Sequence, residues 1–486
     1  MKKHHWFLAA ILFLIFILRL PSLFEPFWYG DEGIFAAVAR NLNLGGVLYE
    51  TAWDNKPPMI YLTYQFIFNF FGVSMFWLRL IGAIAVLATS AVIYEIAQGI
   101  LGTRRALVAT IIFGLLTSLR LVEGNLALTE LFMILPISLA MLLIIKRNFD
   151  YKSLFFAGVL FAIASLYKQV GALEAAALGT FVFLNEKNFV IFIKRGLVLS
   201  LGFALPFLVT LAYFAPKNLV DDYIFAAYTY YQIYLEESPQ YAILVNVSKL
   251  LPIVATILYG LFKKYKTHDV SVFHLILLWS VFSFLGSYFS GRTYGHYLVQ
   301  AIPAVSLLIA SISVPFKFNR ARVVFAVCFL LPLLFLTRLF FSDFLSGGPI
   351  NQIKYYKNFI DYAYNRKGLN EYNDFFDRNV NTIMGLSDAL RVNGAISESI
   401  YIWGDYPWLY AIVDAKNPSK YVTSFHVFGV PNGREEVARD INKSLPKYII
   451  KPDSSIGYFL ELENIINSRY THVAKIEAAD LYLLKM

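Results

Sequence analysis

The sequence predicts a polytopic α-helical membrane protein with about eleven spans and a small C-terminal extracytoplasmic α/β domain. Of the 486 residues, 58% are hydrophobic and only 15% are charged, whereas soluble domains carry about 25% charged residues. Apolar runs of spanning length recur up to residue 341, and no such run follows it. The one cysteine cannot form a disulfide within the chain, so a disulfide-built secreted module is excluded.

The spans are predicted from apolar runs, because a membrane-crossing helix needs about 20 apolar residues. These runs lie at residues 6–24, 76–98, 105–120, 127–145, 153–169, 171–184, 196–215, 243–262, 270–289, 297–314 and 322–341. The fifth and sixth runs are nearly continuous, and a tight turn at residues 168–171 is needed to separate them. No small-residue cleavage site follows the first run, so we expect a retained helix there and not a signal peptide.

The distribution of cations predicts the orientation. If the N-terminus is cytoplasmic, the inner segments hold sixteen Lys and Arg and three Asp and Glu, a balance of +13 against +9 for the whole chain. These segments are residues 1–5, 102–105, 146–152, 185–195, 263–269 and 315–322. Lys and Arg accumulate in cytoplasmic loops, so we expect a multi-pass protein of the plasma (inner) membrane. The charge forms no single basic face and does not indicate nucleic-acid binding.

This topology gives a membrane domain at residues 1–341, with long outer loops at 25–75 and 216–242, and an extracytoplasmic domain at 342–486. In the tail we expect helices over 350–392 and then alternating strands and helices. The expected strands are 399–403, 420–423, 447–450, 471–476 and 481–484, and the later helices start near 407, 434 and 456. This alternation predicts a mainly parallel sheet with a terminal hairpin. No glycine-rich phosphate fingerprint accompanies it.

The first outer loop carries an acidic pair, Asp31 and Glu32, just beyond the first span. Apolar residues at helical spacing follow over 34–42 and predict an amphipathic helix on the membrane surface. Asp54 and Lys56 come next, before two prolines. The acidic pair could be a helix cap, because acids favour helix N-termini. The same loop also carries a further carboxylate and a lysine, and this combination suits a catalytic site at the membrane surface.

Cations near the predicted outer helix ends form a second group of candidates, because ionisable residues near membrane depth are functional candidates. They are Lys56, Arg79, Arg120, Lys168, Arg292, His296 and Arg338. Long side chains of this kind can also simply extend to the interface. Glu130 lies about one turn into the fourth span, where we expect it either to pair with Lys56 or Lys168 or to support the acceptor.

The second outer loop is rich in tyrosines, which suit an interface belt and can also stack on sugars. No HExxH or CxxC spacing is present, so a structural metal is not indicated. Paired carboxylates suit hard cations, so a divalent ion held loosely at Asp31 and Glu32 is compatible with the sequence. No other cofactor is expected.

Five short segments point together to one family. They are Trp28–Gly33, Asp54–Pro58, Glu123–Glu130, Gly291–Tyr297 and Tyr401–Pro407. In this combination the sequence resembles the GT-C glycosyltransferases, in particular a bacterial branch similar to the family 39 protein O-mannosyltransferases and to the lipid A aminoarabinose transferases. The motifs of the first loop are fairly specific for the superfamily, but none of them reports the sugar.

The resemblance implies transfer of a sugar from a polyprenyl-phosphate donor to a lipid, glycan or protein acceptor outside the membrane, with inversion at the anomeric carbon. Asp31 matches the acid that serves family members as catalytic base or orients the acceptor, and Glu32 matches its neighbour. The chemistry agrees, because an attacking hydroxyl needs one carboxylate to take its proton.

A departing lipid phosphate, in turn, needs cations to stabilise its charge. The expected phosphate-binding residues are Lys56, Lys168, Arg292 and His296. The expected acceptor or supporting residues are Asp54, Glu130 and Tyr294.

Two other classes of membrane protein stay open. A transporter or flippase would place its ionisable residues near the bilayer midplane on broken helices, whereas here nearly all lie at outer ends. A polymerase or ligase of lipid-linked glycans would be marked by a large outer loop late in the chain, whereas here the early loop is the elaborate one.

Overall fold

The computed structural model describes residues 3–236, 243–267, 271–290, 292, 294–312, 351–454 and 457–485. Up to residue 312 the described chain is helical. Its α-helices are α1 Lys3–Arg19, α2 Gly30–Asn43, α3 Met59–Phe71, α4 Met75–Leu101, α5 Thr103–Thr117, α6 Thr129–Lys146, α7 Tyr151–Tyr167, α8 Ala172–Asn185, α9 Phe189–Phe214, α10 Val220–Ile224, α11 Tyr230–Glu236, α12 Ile243–Thr267, α13 Val272–Tyr288 and α14 Ile302–Ile312. Short 3-10 helices include Leu20–Phe24, Arg120–Val122, Gln169–Gly171 and Gly295–Ala301.

Within the described residues, each apolar run from 6–24 to 297–314 lies on helical chain. The predicted turn between the fifth and sixth runs is confirmed, because α7 ends at Tyr167 and α8 begins at Ala172. The run at 322–341, Arg338 and the predicted domain boundary after residue 341 lie outside the described residues. The first outer loop contains a helix that the sequence reading did not predict, α3, which starts after Pro58 and ends at Gly72 with φ 71°.

Among the residues that the structure describes, four helices are long and apolar enough to cross a membrane by length and composition. They are His4–Phe24, Met75–Leu101, Thr129–Lys146 and Phe189–Lys217. Shorter apolar helices are Met59–Phe71, Tyr151–Tyr167, Gln169–Asn185, Val272–Tyr288 and Gly295–Ser311. On α9, Leu201 and Val209 are 64% and 62% exposed, as expected of a helix that faces lipid. The chain is thus a membrane protein, and the total of about eleven spans stays a prediction.

The described chain forms two compact units. The helical unit comprises residues 1–20, 79–213 and 235–352. In it α6 packs on α7, α8 on α13, and α5 on α1 and α14. Gly158 and Gly202 allow α7 and α9 to approach closely, because a Cβ at either residue would lie 2.2 or 2.0 Å from a backbone oxygen of the other helix. Small residues permit such close packing between membrane helices.

The second unit, here the loop–tail unit, comprises residues 21–78, 214–234 and 353–486. It therefore joins the first outer loop to the tail. The tail helices are α15 Gln352–Ala363, α16 Leu369–Asp374, α17 Asn379–Val392, α18 Trp408–Ile412, α19 Ser424–Gly429, α20 Gly433–Lys443 and α21 Leu460–Arg469. The strands are β1 Ile400–Ile402, β2 Tyr448–Pro452, β3 Tyr470–Ile476 and β4 Ala479–Leu484.

The sheet has the order β1-β2-β4-β3, with β1 and β2 parallel and the other two pairings antiparallel. The expectation of a mainly parallel sheet is therefore wrong, although the terminal hairpin is confirmed. The expected strand at 420–423 does not join the sheet. Its backbone pairs with the first loop instead, where Tyr421 bridges to Trp53 and the Lys420 carbonyl accepts a bond of 2.9 Å from the Trp53 amide. Because residues 420–423 pair with the first loop, they do not add a parallel strand to the sheet.

The amphipathic helix expected over 34–42 forms as α2. Its apolar residues Phe35 and Val38 are 1% and 0% exposed, and Phe35 meets the rings of Tyr61 and Tyr64 at centroid distances of 5.9 and 5.7 Å. α2 packs on α3 and on α18. The apolar face is thus covered by protein within the loop–tail unit, and the expectation of a face laid on the membrane surface is wrong.

Candidate functional site

The helical unit contains a buried lysine–glutamate pair at the start of α6 and the end of α7. Lys168 Nζ lies 2.5 Å from Glu130 Oε1, with side chains 8% and 2% exposed. The Thr129 hydroxyl donates to the second oxygen, Glu130 Oε2, at 2.7 Å. Lys168 ends α7 with extended backbone angles, φ −153° and ψ 133°. The predicted pairing of Glu130 with Lys168 is confirmed.

A second pair joins His296, on the 3-10 helix Gly295–Ala301, to Glu123, which follows the 3-10 helix Arg120–Val122. His296 Nδ1 lies 2.6 Å from Glu123 Oε2, and the same oxygen accepts the His296 amide at 3.2 Å. The Tyr297 ring lies under Lys168, with 3.5 Å between Nζ and the ring centroid. Tyr297 thus places Lys168 beside the His296–Glu123 pair. We call the buried Glu130, Lys168, His296 and Tyr297, together with the half-buried Glu123, the buried ionic cluster.

Two buried arginines hold the segment that carries Glu123. Arg19 donates to the carbonyls of Thr117 at 2.9 Å and Gly124 at 2.7 Å. Arg79 donates to the Asn125 carbonyl at 2.5 Å. A Cβ at Gly124 would lie 2.3 Å from the Thr117 oxygen, so this turn requires glycine. Arg79 was a candidate from sequence, and its described bond is to backbone.

Three further candidates of the helical unit lie near the buried ionic cluster in sequence: Arg120, Arg292 and Tyr294. Arg120 is 6% exposed, and its backbone amide donates to Gln352 Oε1 at 2.7 Å. Arg292 is half-buried, and its amide donates to the Ser290 hydroxyl at 3.3 Å. Tyr294 is 44% exposed and stacks on the His296 ring at a centroid distance of 5.6 Å. The phosphate-binding and supporting roles of Arg292 and Tyr294 stay predictions.

In the loop–tail unit the acidic pair begins α2. Asp31 and Glu32 lie in the first turn of that helix, where the helix dipole favours carboxylates. Glu32 is 0% exposed, whereas Asp31 is half-buried. Asp31 is therefore the member of the pair that keeps an accessible surface. A capping contribution and a catalytic role are both compatible with this position.

The tail fixes the start of α2 directly. Trp408 Nε1 donates to the Tyr29 carbonyl at 2.9 Å. A Cβ at Gly33 would lie 2.8 Å from Trp408 Cδ1 and 2.9 Å from Pro407 Cγ. Glycine at position 33 thus lets the tail pack tightly on the turn that carries Asp31.

This packing gives a test with a matched control. We expect Gly33→Ala to destabilise the protein by about 1–3 kcal/mol, because the added methyl overpacks a rigid contact. Gly30→Ala is the control, since a Cβ at Gly30 meets nothing within 4 Å. Thermal unfolding in detergent measures both. An unchanged midpoint for Gly33→Ala, or an equal drop for Gly30→Ala, would contradict the assignment.

Asp54 is the centre of a buried polar group in the loop–tail unit. Its carboxylate accepts the Tyr61 hydroxyl at 2.7 Å and the Asn55 amide at 2.7 Å, and His426 Nε2 lies 3.3 Å away. Lys56 Nζ donates to Asn55 Oδ1 at 2.6 Å. Asp54 is 1% exposed, which favours a supporting role for this carboxylate.

The protonation of this group follows from its surroundings. Burial alone would raise the pKa of Asp54. The charge of Lys56, the neighbouring His426 and the hydrogen bonds from Tyr61 and Asn55 together outweigh burial and lower the pKa. Burial lowers the pKa of His426 to about 4, against the opposing effect of Asp54. A neutral imidazole must donate from Nε2 to the carboxylate, which leaves Nδ1 to accept the Thr423 hydroxyl at 3.2 Å.

A pH dependence of stability follows. The folded state holds the His426 proton more weakly than the unfolded state, whose pKa is near 6.5. The associated stability is present above pH 6.5 and is lost as the pH falls towards 4, by about 3 kcal/mol in total. We expect the thermal unfolding midpoint to decrease as the pH is lowered from 7 to 4.5. The variant His426→Gln should show a smaller decrease over the same pH range. A flat wild-type curve, or an equal slope in the variant, would contradict it.

The acidic pair considered for a divalent ion, Asp31 and Glu32, occupies successive positions of α2. Successive residues of a helix point about 100° apart, and Glu32 is buried while Asp31 is not. Among the described residues no group of three or more His, Cys, Asp or Glu side chains is placed to hold a metal ion. A divalent ion held loosely at Asp31 and Glu32 stays a prediction.

Sequence reasoning missed three functional candidates. Glu123 stood in a family motif but was not selected, and its pairing with His296 spans 173 residues of sequence. His426 carried no signal beyond its residue type. The one usable clue for Arg19 was a cation at the end of an apolar run, which is costly unless it is paired.

Comparisons with known proteins show which family model and which solved structures the chain resembles. The family described as dolichyl-phosphate-mannose-protein mannosyltransferase matches residues 55–214, a stretch that includes Lys56, Glu123, Glu130 and Lys168. No curated protein sequence matches the chain.

Among solved structures, ArnT from Cupriavidus metallidurans bound to undecaprenyl phosphate is similar at a TM-score of 0.59 and 13% identity, over 99% of this chain and 98% of that chain. Apo ArnT gives 0.60 and 14%, over 98% and 96%. The oligosaccharyltransferase AglB from Archaeoglobus fulgidus, in complex with an inhibitory peptide and a dolichol-phosphate, gives 0.47 and 12%, over 93% and 69%.

The chain therefore has the fold of the GT-C membrane glycosyltransferases. Its resemblance to the family 39 type and to the lipid A aminoarabinose transferases is confirmed by the family match and the shared fold. These two findings support a glycosyltransferase.

Proposed function

We propose that the protein is an integral-membrane inverting glycosyltransferase. It moves a sugar from a polyprenyl-phosphate donor to an acceptor hydroxyl on the extracytoplasmic face of the plasma membrane. Its N-terminus is cytoplasmic, and residues 342–486 are extracytoplasmic. The acceptor class is a lipid, a glycan or a protein.

The buried ionic cluster is the observation that carries this proposal. In the buried interior of the helical unit Lys168 contacts Glu130 and Tyr297, and the neighbouring His296 pairs with Glu123. Three of these residues lie in the stretch matched by the mannosyltransferase family. Preorganised cations stabilise a phosphate on which charge develops, which is the demand that a lipid-phosphate leaving group makes.

The chemistry assigns one role to each group. The acceptor oxygen attacks the anomeric carbon, and Asp31 takes the proton of the acceptor hydroxyl as general base. The bond between the anomeric carbon and the phosphate oxygen breaks in the same step, so configuration inverts. Both electrons of that bond leave with the lipid phosphate, whose charge is met by Lys168, Lys56, Arg292 and His296. Asp54, Glu130 and Tyr294 support these residues or the acceptor.

ArnT supports the donor class, since that protein was solved bound to undecaprenyl phosphate. The experiment is to incubate the purified protein with a panel of undecaprenyl-phosphate and dolichyl-phosphate sugars and an envelope extract as acceptor. Mass spectrometry measures the release of free lipid phosphate, and NMR of the product reports the anomer. Release with inversion supports the proposal. No release from any donor, or a product with retained configuration, overturns it, and translocation of intact donor would indicate a flippase.

A further inference from the structure

Glu174 is a fully buried carboxyl that the proposed reaction does not use. It lies on α8 and is 0% exposed. Its Oε1 accepts hydrogen bonds from the Ser283 hydroxyl at 2.9 Å and from Gln300 Nε2 at 2.8 Å. Its Oε2 has no hydrogen-bond partner among the described residues. Both donors are neutral, so Glu174 forms no ion pair with them. A single oxygen, Oε1, accepts both hydrogen bonds.

Gln300 connects this carboxyl to two other segments. It lies near the end of the 3-10 helix Gly295–Ala301, and its Nε2 also donates to the Val170 carbonyl at 3.3 Å. The fold makes room for it, because a Cβ at Gly286 would lie 2.6 Å from that nitrogen. Glu174 and Gln300 thus join α8, the 3-10 helix and the turn Gln169–Gly171.

These are the segments that carry the buried ionic cluster. Lys168 directly precedes the turn, and its carbonyl accepts the Gly171 amide at 2.9 Å. His296 and Tyr297 lie on the 3-10 helix one turn before Gln300. On α13, the Ser287 hydroxyl donates to the Tyr297 carbonyl at 2.6 Å. A shift of Gln300 would therefore move Lys168 and Tyr297 relative to each other.

We propose that Glu174 is a positioning residue: through Gln300 it fixes the turn Gln169–Gly171 against the 3-10 helix Gly295–Ala301, and so sets the arrangement in which Lys168 and His296 receive a lipid phosphate. The inference rests on the proposed function for the identity of that ligand. Its structural part, the tie from Glu174 to the cluster, stands on the hydrogen bonds alone.

The geometry distinguishes two substitutions at this residue. Glu174→Gln keeps an acceptor oxygen at the Oε1 position and places its amide nitrogen where Oε2 makes no bond, so the tie survives. Glu174→Ala removes the acceptor and leaves the Gln300 and Ser283 donors without it. If loss of this buried hydrogen bond displaces Lys168 and His296, the affinity for the lipid phosphate should fall about tenfold.

The test measures binding of undecaprenyl phosphate to the full-length protein in detergent, with KM for donor and acceptor wherever turnover is established. We expect Glu174→Ala to weaken lipid-phosphate binding about tenfold and to raise the donor KM, with the acceptor KM unchanged. Glu174→Gln should match the wild type. Ser280→Ala is the control, because Ser280 is buried on α13, the helix that carries Ser283, and its hydroxyl donates to the Ile276 carbonyl one turn away in the same helix.

The outcomes separate the two proposals. If the wild type binds no undecaprenyl phosphate, the proposed donor class fails. If the wild type binds it and Glu174→Ala binds equally well, or Glu174→Gln loses as much as Glu174→Ala, the positioning role is overturned. Should Glu174→Ala fail to fold, Gln300→Met replaces it, since it removes both Gln300 bonds with a side chain of similar length. Gln300→Met is then expected to show the tenfold loss, and wild-type binding by it overturns the inference.

Discussion

Asp31→Asn is expected to abolish sugar transfer, with a fall in kcat of about 10³-fold or more, while the protein still inserts and folds. The amide has the shape of the carboxylate but cannot take the proton of the acceptor hydroxyl, and general bases contribute about 10²–10⁴-fold. Release of lipid phosphate and product formation, measured on purified protein, check this result.

The matched control is Glu50→Gln, which removes an exposed carboxylate from the same loop. It should transfer sugar at the wild-type rate. Equal elution on size exclusion and equal unfolding midpoints would show that Asp31→Asn has not disturbed α2. A wild-type rate in Asp31→Asn would remove Asp31 as the base, whatever the donor.

Lys168→Met should have the second largest effect. It removes a cation assigned to the phosphate and leaves Glu130 as a buried charge without the lysine that holds it. Removing one member of a buried ion pair costs about 3–5 kcal/mol. We therefore expect a lower unfolding midpoint together with a fall in kcat/KM of about 10²-fold or more, because both the bound phosphate and its departure lose a cation.

A double variant separates the two effects. Lys168→Met with Glu130→Leu removes both charges, and neutral packing in place of a buried pair is often tolerated. The midpoint should recover towards the wild type, while kcat/KM stays low. Recovery of activity in the double variant would mean that Lys168 serves only to neutralise Glu130.

The membrane helices were predictable because each is a long apolar run whose length the bilayer fixes. The pairing of Lys168 with Glu130 was predictable for a similar reason, since a buried charge needs a partner and few were at hand. His426 and Glu123 were not predictable as partners, because each meets a residue far away in sequence. The segment 420–423 had the composition of a strand, but the first loop rather than the sheet supplied its backbone partner.

The contacts of the loop–tail unit also bear on how the protein is made. The bond from Trp408 to Tyr29 joins residues 379 positions apart, and His426 reaches Asp54 over a comparable span. At about 5–20 residues per second, a ribosome needs roughly 20–80 s to synthesise the intervening chain. The segment with Asp31 therefore emerges early and must wait for its tail contacts until synthesis is nearly complete. A nascent chain stalled before residue 400 would carry the candidate base on a loop without its Trp408 and His426 contacts.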